Sequence, residues 1–120
     1  MATNVISCRV DSSLLAPLLQ RQARRHKIEV GTLAALYLQE KALEEEYPGI
    51  GFRDSAVGRE AYVQGRRVAV WEVEDVQKET RSQVKTAEHF GWPQSLVRCA
   101  LAFARDYAAE VAAQREAETK

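Results

Sequence analysis

The first part of the chain begins with alternating apolar and polar residues and then changes to a helical period. Over residues 4–11, Ile6, Cys8 and Val10 would share one face, which predicts a half-buried strand. Asp11 and the two serines after it are residue types that cap helices, so a first helix is expected to start there. Its apolar side comprises Leu14, Leu15, Leu18, Leu19 and Ala23. A second helix, with a broad leucine-rich face, is expected from about Thr32.

A turn-rich segment separates these helices from the second half of the chain. Residues 48–58 contain three glycines and a proline, which stop a helix and allow sharp turns. Apolar residues alternate with glycines there, so this segment is also expected to form a short strand. Apolar runs at 61–63 and 68–70 flank Gln64-Gly65, where glycine supplies the positive φ of a tight turn. The pattern predicts a small hairpin, joined by the short strand before it.

The stretch that follows has the spacing of two helices joined by a tight turn. Ala87 suits a close approach between helices, and Gly91 suits the left-handed residue after a helix end. Pro93 fits the start of the next helix, and Val97 would hold that helix against the first. The predicted buried stripe of the second helix is Leu96, Val97, Ala100, Leu101 and Ala104. The outward residues would be Gln94, Ser95, Arg98 and Arg105.

Those outward residue types contact phosphates and base edges in protein–DNA complexes. The pattern therefore favours a helix-turn-helix that binds DNA, although a three-helix bundle with a solvated outer face fits the same spacing. The chain has 17 Lys and Arg against 17 Asp and Glu, so its formal net charge is zero. A neutral chain attracts nucleic acid only if a basic face is separated from an acidic one.

The two cysteines, Cys8 and Cys99, have neither metal-ligand nor disulfide spacing, and both lie in apolar stripes. Buried, reduced thiols are therefore expected, as in a cytoplasmic protein. We see no signal peptide and no apolar run long enough to cross a bilayer, so no membrane association is expected. No phosphate-binding glycine motif, metal-ligand spacing or nucleophile motif is present, and we expect neither an enzyme nor a cofactor or metal.

Residues 4–46, a strand ending in Arg9-Val10-Asp11 followed by two helices, resemble the ribbon-helix-helix family of DNA-binding proteins. The resemblance implies a homodimer whose paired strands form an antiparallel ribbon in the major groove. It places three residues at base edges: Val5, Ser7 and Arg9. It makes three others the anchors of the ribbon: Ile6, Cys8 and Val10. A helical hairpin with an ordinary strand remains the alternative for this part of the chain.

The second half resembles the domain-of-unknown-function family 433. The resemblance is carried by Gly58-Arg59, by the run from Gln64 to Trp71 and by the helices after it. It implies a winged helix-turn-helix of the kind found in VapB-like antitoxins of toxin–antitoxin pairs. Arg66 and Arg67 would then contact DNA from the wing.

The combined expectation is an α+β chain that is mostly α. Residues 1–47 would form a ribbon-helix-helix-like dimerisation and DNA-binding arm. Residues 48–107 would form the winged helix-turn-helix domain, with a small hairpin followed by three helices. Residues 108–120 would continue the last helix as a tail that frays at its end.

The function that the resemblances imply is that of a type II antitoxin. Such a protein would repress its own operon by binding operator DNA as a homodimer and would neutralise a ribonuclease toxin, of the PIN-like kind, by direct binding. Arg105 and Arg115 are the candidates for contact with the toxin, because a basic side chain suits a nuclease site lined by carboxylates. A free-standing dimeric transcription regulator and a protein-interaction module that does not bind DNA remain alternatives.

Overall fold

A computed structural model describes residues 3–55 and 58–119. They form a mostly helical α+β structure, as expected, and its one sheet is antiparallel and has two strands. The elements are α1 (Leu15–His26), α2 (Val30–Glu46), β1 (Ile50–Ser55), β2 (Gly58–Val63), α3 (Val70–Thr80), α4 (Gln83–Phe90), α5 (Gln94–Asp106) and α6 (Ala108–Thr119). The chain divides into two compact units, Met1–Gln39 and Glu40–Lys120, with the boundary inside α2.

In the first unit, the predicted strand over residues 4–11 is absent. Residues 3–11 are neither helix nor strand, and all of them are exposed. The expectation of a buried Cys8 is therefore wrong as well, since this thiol is exposed. The physical reason is that a strand needs a neighbouring strand for its backbone groups. No described residue of this unit supplies one.

The two helices of the first unit begin and end through local backbone contacts. Asp11 does not cap α1 itself, because the residue before the helix is Leu14, which has no side-chain cap; the Asp11 Oδ2 instead accepts a hydrogen bond of 2.7 Å from the N–H of Leu14 in the turn before the helix. Helix α1 ends at Lys27, which takes a left-handed conformation with φ 60°. The hydroxyl of Tyr37 on α2 donates to Oε1 of Gln22 on α1 over 3.2 Å. These contacts hold α1 and the start of α2 together as a helical hairpin.

In the second unit, the hairpin follows α2 and precedes α3 along the chain. Its first strand, β1, is the short strand predicted within residues 48–58. Strand β1 pairs with β2 in the register Ile50↔Val63. The run 68–70, predicted to be the second hairpin strand, forms only one isolated bridge, Tyr62↔Ala69. Helix α3 begins at Val70, because the Glu72 carboxylate accepts the Ala69 N–H over 2.9 Å and starts a helix there. The run 68–70 therefore does not form the predicted strand, because α3 begins within it.

The helices predicted on either side of Gly91 are α4 and α5. Gly91 is left-handed (φ 72°), and the N–H of Trp92 donates to the carbonyl of Ala87 over 3.0 Å, which closes the helix end. Pro93 precedes the first residue of α5. The core of the unit joins both strands to α3, α4, α5 and α6 and comprises Ile50, Ala61, Val63, Val70, Val73, Ala87, Val97, Ala100, Phe103, Ala104 and Val111.

The C-terminal segment does not continue α5 as expected. The backbone leaves the helical conformation at Tyr107 (φ −123°, ψ 44°), and α6 starts as a separate helix at Ala108. The Tyr107 ring stacks on Phe103 with centroids 5.1 Å apart, which keeps this residue packed against α5 at the break. None of the described helices is long and apolar enough to cross a membrane.

Candidate nucleic-acid interface

The outer face of α5 presents polar and basic residues to solvent. Val97, Ala100 and Ala104 point into the core, so the helical period directs the intervening residues outward. Gln94, Ser95, Arg98 and Arg105 are exposed. Residues 94–105 contain no carboxylate. In a chain with equal numbers of acids and bases, this helix therefore carries a locally positive surface.

Carboxylates predominate on three other helices of the same unit. The part of α2 that belongs to this unit carries Glu40, Glu44, Glu45 and Glu46 with a single lysine, Lys41. Helix α3 carries Glu72, Glu74, Asp75 and Glu79 with a single lysine, Lys78. Helix α6 carries Glu110, Glu116 and Glu118 with a single arginine, Arg115. Acidic and basic side chains are thus distributed unevenly among the helices of this unit.

The start of α5 lies beside the turn that follows β2. An open cavity of about 430 Å³ is lined by Pro48, Gly49, Arg66, Pro93, Ser95, Leu96 and Cys99. The guanidinium of Arg66 lies 5.9 Å from the centroid of the Trp92 ring. No side chain caps the first N–H groups of α5. The structure thus brings Arg66 and Ser95, two of the residues predicted to bind DNA, to a helix start that favours negative charge. Arg67, the residue after Arg66, is also exposed.

A second groove of about 430 Å³ lies along the middle of α5. Its lining consists of Gln83, Arg98, Leu101, Ala102 and Arg105. Arg98 was predicted to contact DNA and Arg105 to contact a toxin, and the structure places both side chains in the same groove. Gln83, at the start of α4, was not predicted.

The Arg105 end of this groove is held by a short chain of hydrogen bonds. Its Nε donates to Oδ1 of Asp106 over 3.0 Å, and the Tyr47 hydroxyl donates to Oδ2 of the same carboxylate over 2.6 Å. The pKa of Asp106 is lowered, first by Arg105 and then by Tyr47. The same carboxylate raises the pKa of Tyr47 to about 12 and raises the pKa of Arg105.

Arg115, the other residue predicted to contact a toxin, is engaged within its own unit. One of its terminal nitrogens lies 3.0 Å from Glu74 and 2.5 Å from Asp75, and only 28% of its side chain is exposed. Arg105, in contrast, has a side chain that is 75% exposed. Arg105 is therefore largely accessible, whereas Arg115 is mostly covered and paired with acids of α3.

The residues predicted to read DNA from the ribbon lie in the first unit, at its N-terminal end. Val5, Ser7 and Arg9 are exposed, with Val5 95% accessible. The residues predicted to anchor the ribbon are exposed too: 78% of the surface of Ile6 and 43% of that of Val10 is accessible to solvent. The same unit exposes further large apolar side chains: Leu14, Leu15, Leu18, Ile28, Val30 and Leu38. So much exposed apolar surface on a small unit is typical of an interface.

The described residues contain no group of three or more His, Cys, Asp or Glu side chains arranged to hold a metal ion. Comparison of the chain with protein-family models, with curated proteins and with solved structures finds no match. The charge and exposure of the α5 face and of the N-terminal segment are therefore the observations that bear on function.

Proposed function

We propose that this protein is a dimeric, DNA-binding antitoxin that represses its own operon and binds a nuclease toxin. The observation that supports the DNA-binding part is the outer face of α5 over residues 94–105, which carries Arg98 and Arg105 and no carboxylate, on the second of two helices joined by a glycine turn. The one acid of α5, Asp106, follows this stretch and pairs with Arg105. An α-helix fits the major groove, and a helix held in this way presents its first residues to base edges. Gln94 and Ser95 occupy those positions.

Phosphate contact is assigned to the arginines that flank these residues. Arg66 lies at the start of α5, and Arg98 lies in the groove along the middle of α5. Phosphates dominate the affinity of DNA-binding proteins, and arginine suits them because of its planar set of donors. The acidic side chains on α3 and α6 would be repelled by DNA, which orients the unit with α5 towards the duplex.

The homodimer is supported by the exposed apolar surface of the first unit. Residues 4–11 keep the alternation of a strand while lacking a strand partner among the described residues. Pairing with the same segment of a second copy would satisfy their backbone groups and cover Ile6 and Val10. Val5, Ser7 and Arg9 would then lie together on the other face of the ribbon, where DNA contact is proposed.

The salt dependence of DNA binding tests the DNA-binding part of this proposal. We would measure fluorescence anisotropy of a labelled duplex from the region upstream of the gene, across a series of salt concentrations. Binding should weaken steeply with salt, and Arg98→Ala should reduce the slope by about 1, the loss of one phosphate contact. Lys78→Ala, which removes an exposed lysine from the acidic helix α3, is the matched control and should leave the slope unchanged. Equal slopes for both variants would exclude Arg98 from the interface.

The ribbon is tested separately, with Arg9→Ala. This variant should bind the upstream duplex more weakly while its circular dichroism spectrum and urea midpoint stay those of the wild type, because Arg9 is exposed and lies outside every helix. Val10→Lys places a charge among the ribbon anchors and should shift the protein from dimer to monomer in sedimentation. Unchanged DNA affinity in the first variant, or an unchanged mass in the second, would remove the ribbon from the proposal.

Co-expression with the product of the neighbouring gene tests the antitoxin part. The proposal expects a stable complex and rescue of growth when that product is toxic, and Arg105→Ala should weaken both. DNA binding without any such complex would leave the free-standing regulator. A complex without salt-dependent DNA binding would leave the protein-interaction module.

A further inference from the structure

Basic side chains outnumber acidic ones in the first unit, although the chain as a whole is neutral. Met1–Gln39 contains five arginines and lysines against two carboxylates, Asp11 and Glu29, which gives a formal side-chain charge of +3. Glu40–Lys120 contains 12 basic against 15 acidic side chains, a charge of −3. The attraction for an anion that the whole chain lacks is therefore present on the first unit.

Four of the five basic residues of this unit lie at the end of α1, and we call them the basic α1 end: Arg21, Arg24, Arg25 and Lys27. All four are exposed. Arg21 and Arg25 are four residues apart, about 6 Å along the helix axis, so they lie on the same face of α1. Helix α1 itself contains no carboxylate. Among the residues that the structure describes, none of these four side chains forms an ion pair.

The helix dipole accounts for only part of the basic α1 end. Cations near the C-terminus of a helix are favourable, but the effect is limited to the last turn, which contains Arg24 and Arg25. Arg21 precedes that turn, and like charges four residues apart on a helix repel each other. An anion bound between Arg21 and Arg25 would offset this repulsion.

The apolar residue beside these arginines favours nucleic acid over a membrane as the anion. Leu18 lies three residues before Arg21 on the same face, and 39% of its surface is accessible. A helix that lies on a membrane buries its apolar face and keeps its basic residues on the opposite one. Burying Leu18 among acyl chains would draw Arg21 out of water, which is unfavourable for a charged group. The phosphates of DNA need no such burial, because they meet the arginines at the protein surface.

We propose that the basic α1 end binds the phosphate backbone of duplex DNA, in addition to the contacts assigned to α5. Three of its four residues are arginines, whose planar sets of donors match phosphate oxygens. Phosphate contacts are independent of sequence, so this site raises the affinity for every duplex and does not select the operator. The inference rests on the proposed DNA binding but requires neither the ribbon nor a toxin.

The salt dependence of binding to a labelled duplex of random sequence tests this site in the full-length chain. Arg21→Gln/Arg25→Gln removes two charges and keeps good helix formers, so the plot of log affinity against log salt should become shallower by about 2 for each protomer bound. Lys41→Gln/Lys78→Gln, the matched control, removes the same charge at two exposed lysines of the second unit and should leave the slope unchanged. Equal slopes for the two double variants would overturn the proposal.

A conservative double variant separates phosphate contact from a structural role. Arg21→Lys/Arg25→Lys keeps both charges, so its slope should stay that of the wild type. A loss of slope as large as that with glutamine would overturn the proposal, because the two arginines would then support the fold of the unit rather than neutralise phosphates. Circular dichroism spectra of all the variants should match that of the wild type.

Arg98→Ala, measured on the same duplex, distinguishes this inference from the proposed function. If Arg98→Ala makes the slope shallower and Arg21→Gln/Arg25→Gln does not, the basic α1 end is excluded and the α5 face remains. The reverse result excludes Arg98 and leaves the basic α1 end. Absence of salt-dependent binding to any duplex overturns both. Sedimentation with vesicles of phosphatidylserine and phosphatidylcholine is the last control: binding to vesicles without binding to the duplex would overturn the proposal in favour of a lipid surface.

Discussion

Replacing Gly91 by alanine tests whether the left-handed turn fixes the geometry between α4 and α5. Gly91 has φ 72° and ψ 36°, and a Cβ built on it would meet no atom within 4 Å. Steric contact with the surroundings therefore adds nothing to the cost of the substitution. What remains is the strain of an L-residue in the left-handed region, about 1 kcal/mol for alanine. We expect Gly91→Ala to destabilise the unit by about that amount, a fall in Tm of about 4–8 °C.

Two further variants make this prediction specific. Gly91→Asn should cost less, because asparagine tolerates the left-handed region better than alanine does. Gly31→Ala makes the same chemical change inside α2, where φ is not positive and the space is open. It should be neutral or stabilising by up to about 1 kcal/mol.

Urea unfolding followed by circular dichroism measures the change in stability of the three variants. Tryptophan fluorescence is a second probe for the two variants of Gly91. Both tryptophans, Trp71 and Trp92, belong to the second unit, so the fluorescence reports on the unit that contains Gly91. Two results would contradict the prediction: a Gly91→Ala variant as stable as the wild type, or equal losses of stability for the alanine and asparagine variants. Either result would mean that the turn does not depend on a left-handed residue.

Three further predictions follow from other contacts. Thr86→Val should cost about 1 kcal/mol in urea unfolding, because it removes the buried hydroxyl that donates to Oε1 of Gln77 over 2.7 Å, while Thr80 and the Ser82 carbonyl keep their hydrogen bonds to each other. Gly49→Ala should cost little, because its Cβ would lie 2.6 Å from Cδ1 at the end of the flexible Leu96 side chain, which can shift, and a large fall in the urea midpoint would contradict this. Tyr47 should ionise near pH 12 in an ultraviolet titration of tyrosinate, and Tyr47→Phe should remove that late step.

The Tyr47 contact also makes the stability depend on pH in a defined direction. A phenol whose pKa rises from 10 to about 12 on folding contributes stability below pH 10, and this is lost as the pH rises towards 12. The lowered pKa of Asp106 acts at the other end: its contribution is present above the ordinary carboxyl pKa near 4 and is lost as the pH falls below it. Urea midpoints of wild type and Tyr47→Phe should therefore converge in strong alkali. Parallel curves would contradict the hydrogen bond.

Features fixed by a few neighbouring residues could be predicted from the sequence. The turn at Gly91, the helix start at Pro93 and the buried stripe around Val97 follow from backbone preference and helical period, which act over one or two turns. The hydrogen bond from Leu14 to Asp11 before α1 is equally local, as the carboxylate contacts an N–H three residues later. Such interactions involve adjacent positions, so the sequence predicted the helices on either side of Gly91 and the outward residues of α5, but not the start of α3 or the break before α6.

Features that depend on competition or on distant residues were decided by the tertiary structure. Residues 4–11 have the pattern of a strand but find no strand partner among the residues that the structure describes. In the run 68–70, a helix begins instead of a strand, because the Glu72 carboxylate accepts a hydrogen bond from the Ala69 N–H. Arg115 looked like a surface residue, yet it pairs with Glu74, 41 residues away along the chain. Distant side chains meet only when packing brings their helices together, and no period in the sequence records which helices those are. The sequence therefore determined the local backbone, and tertiary packing decided which charged and polar groups remain available for binding.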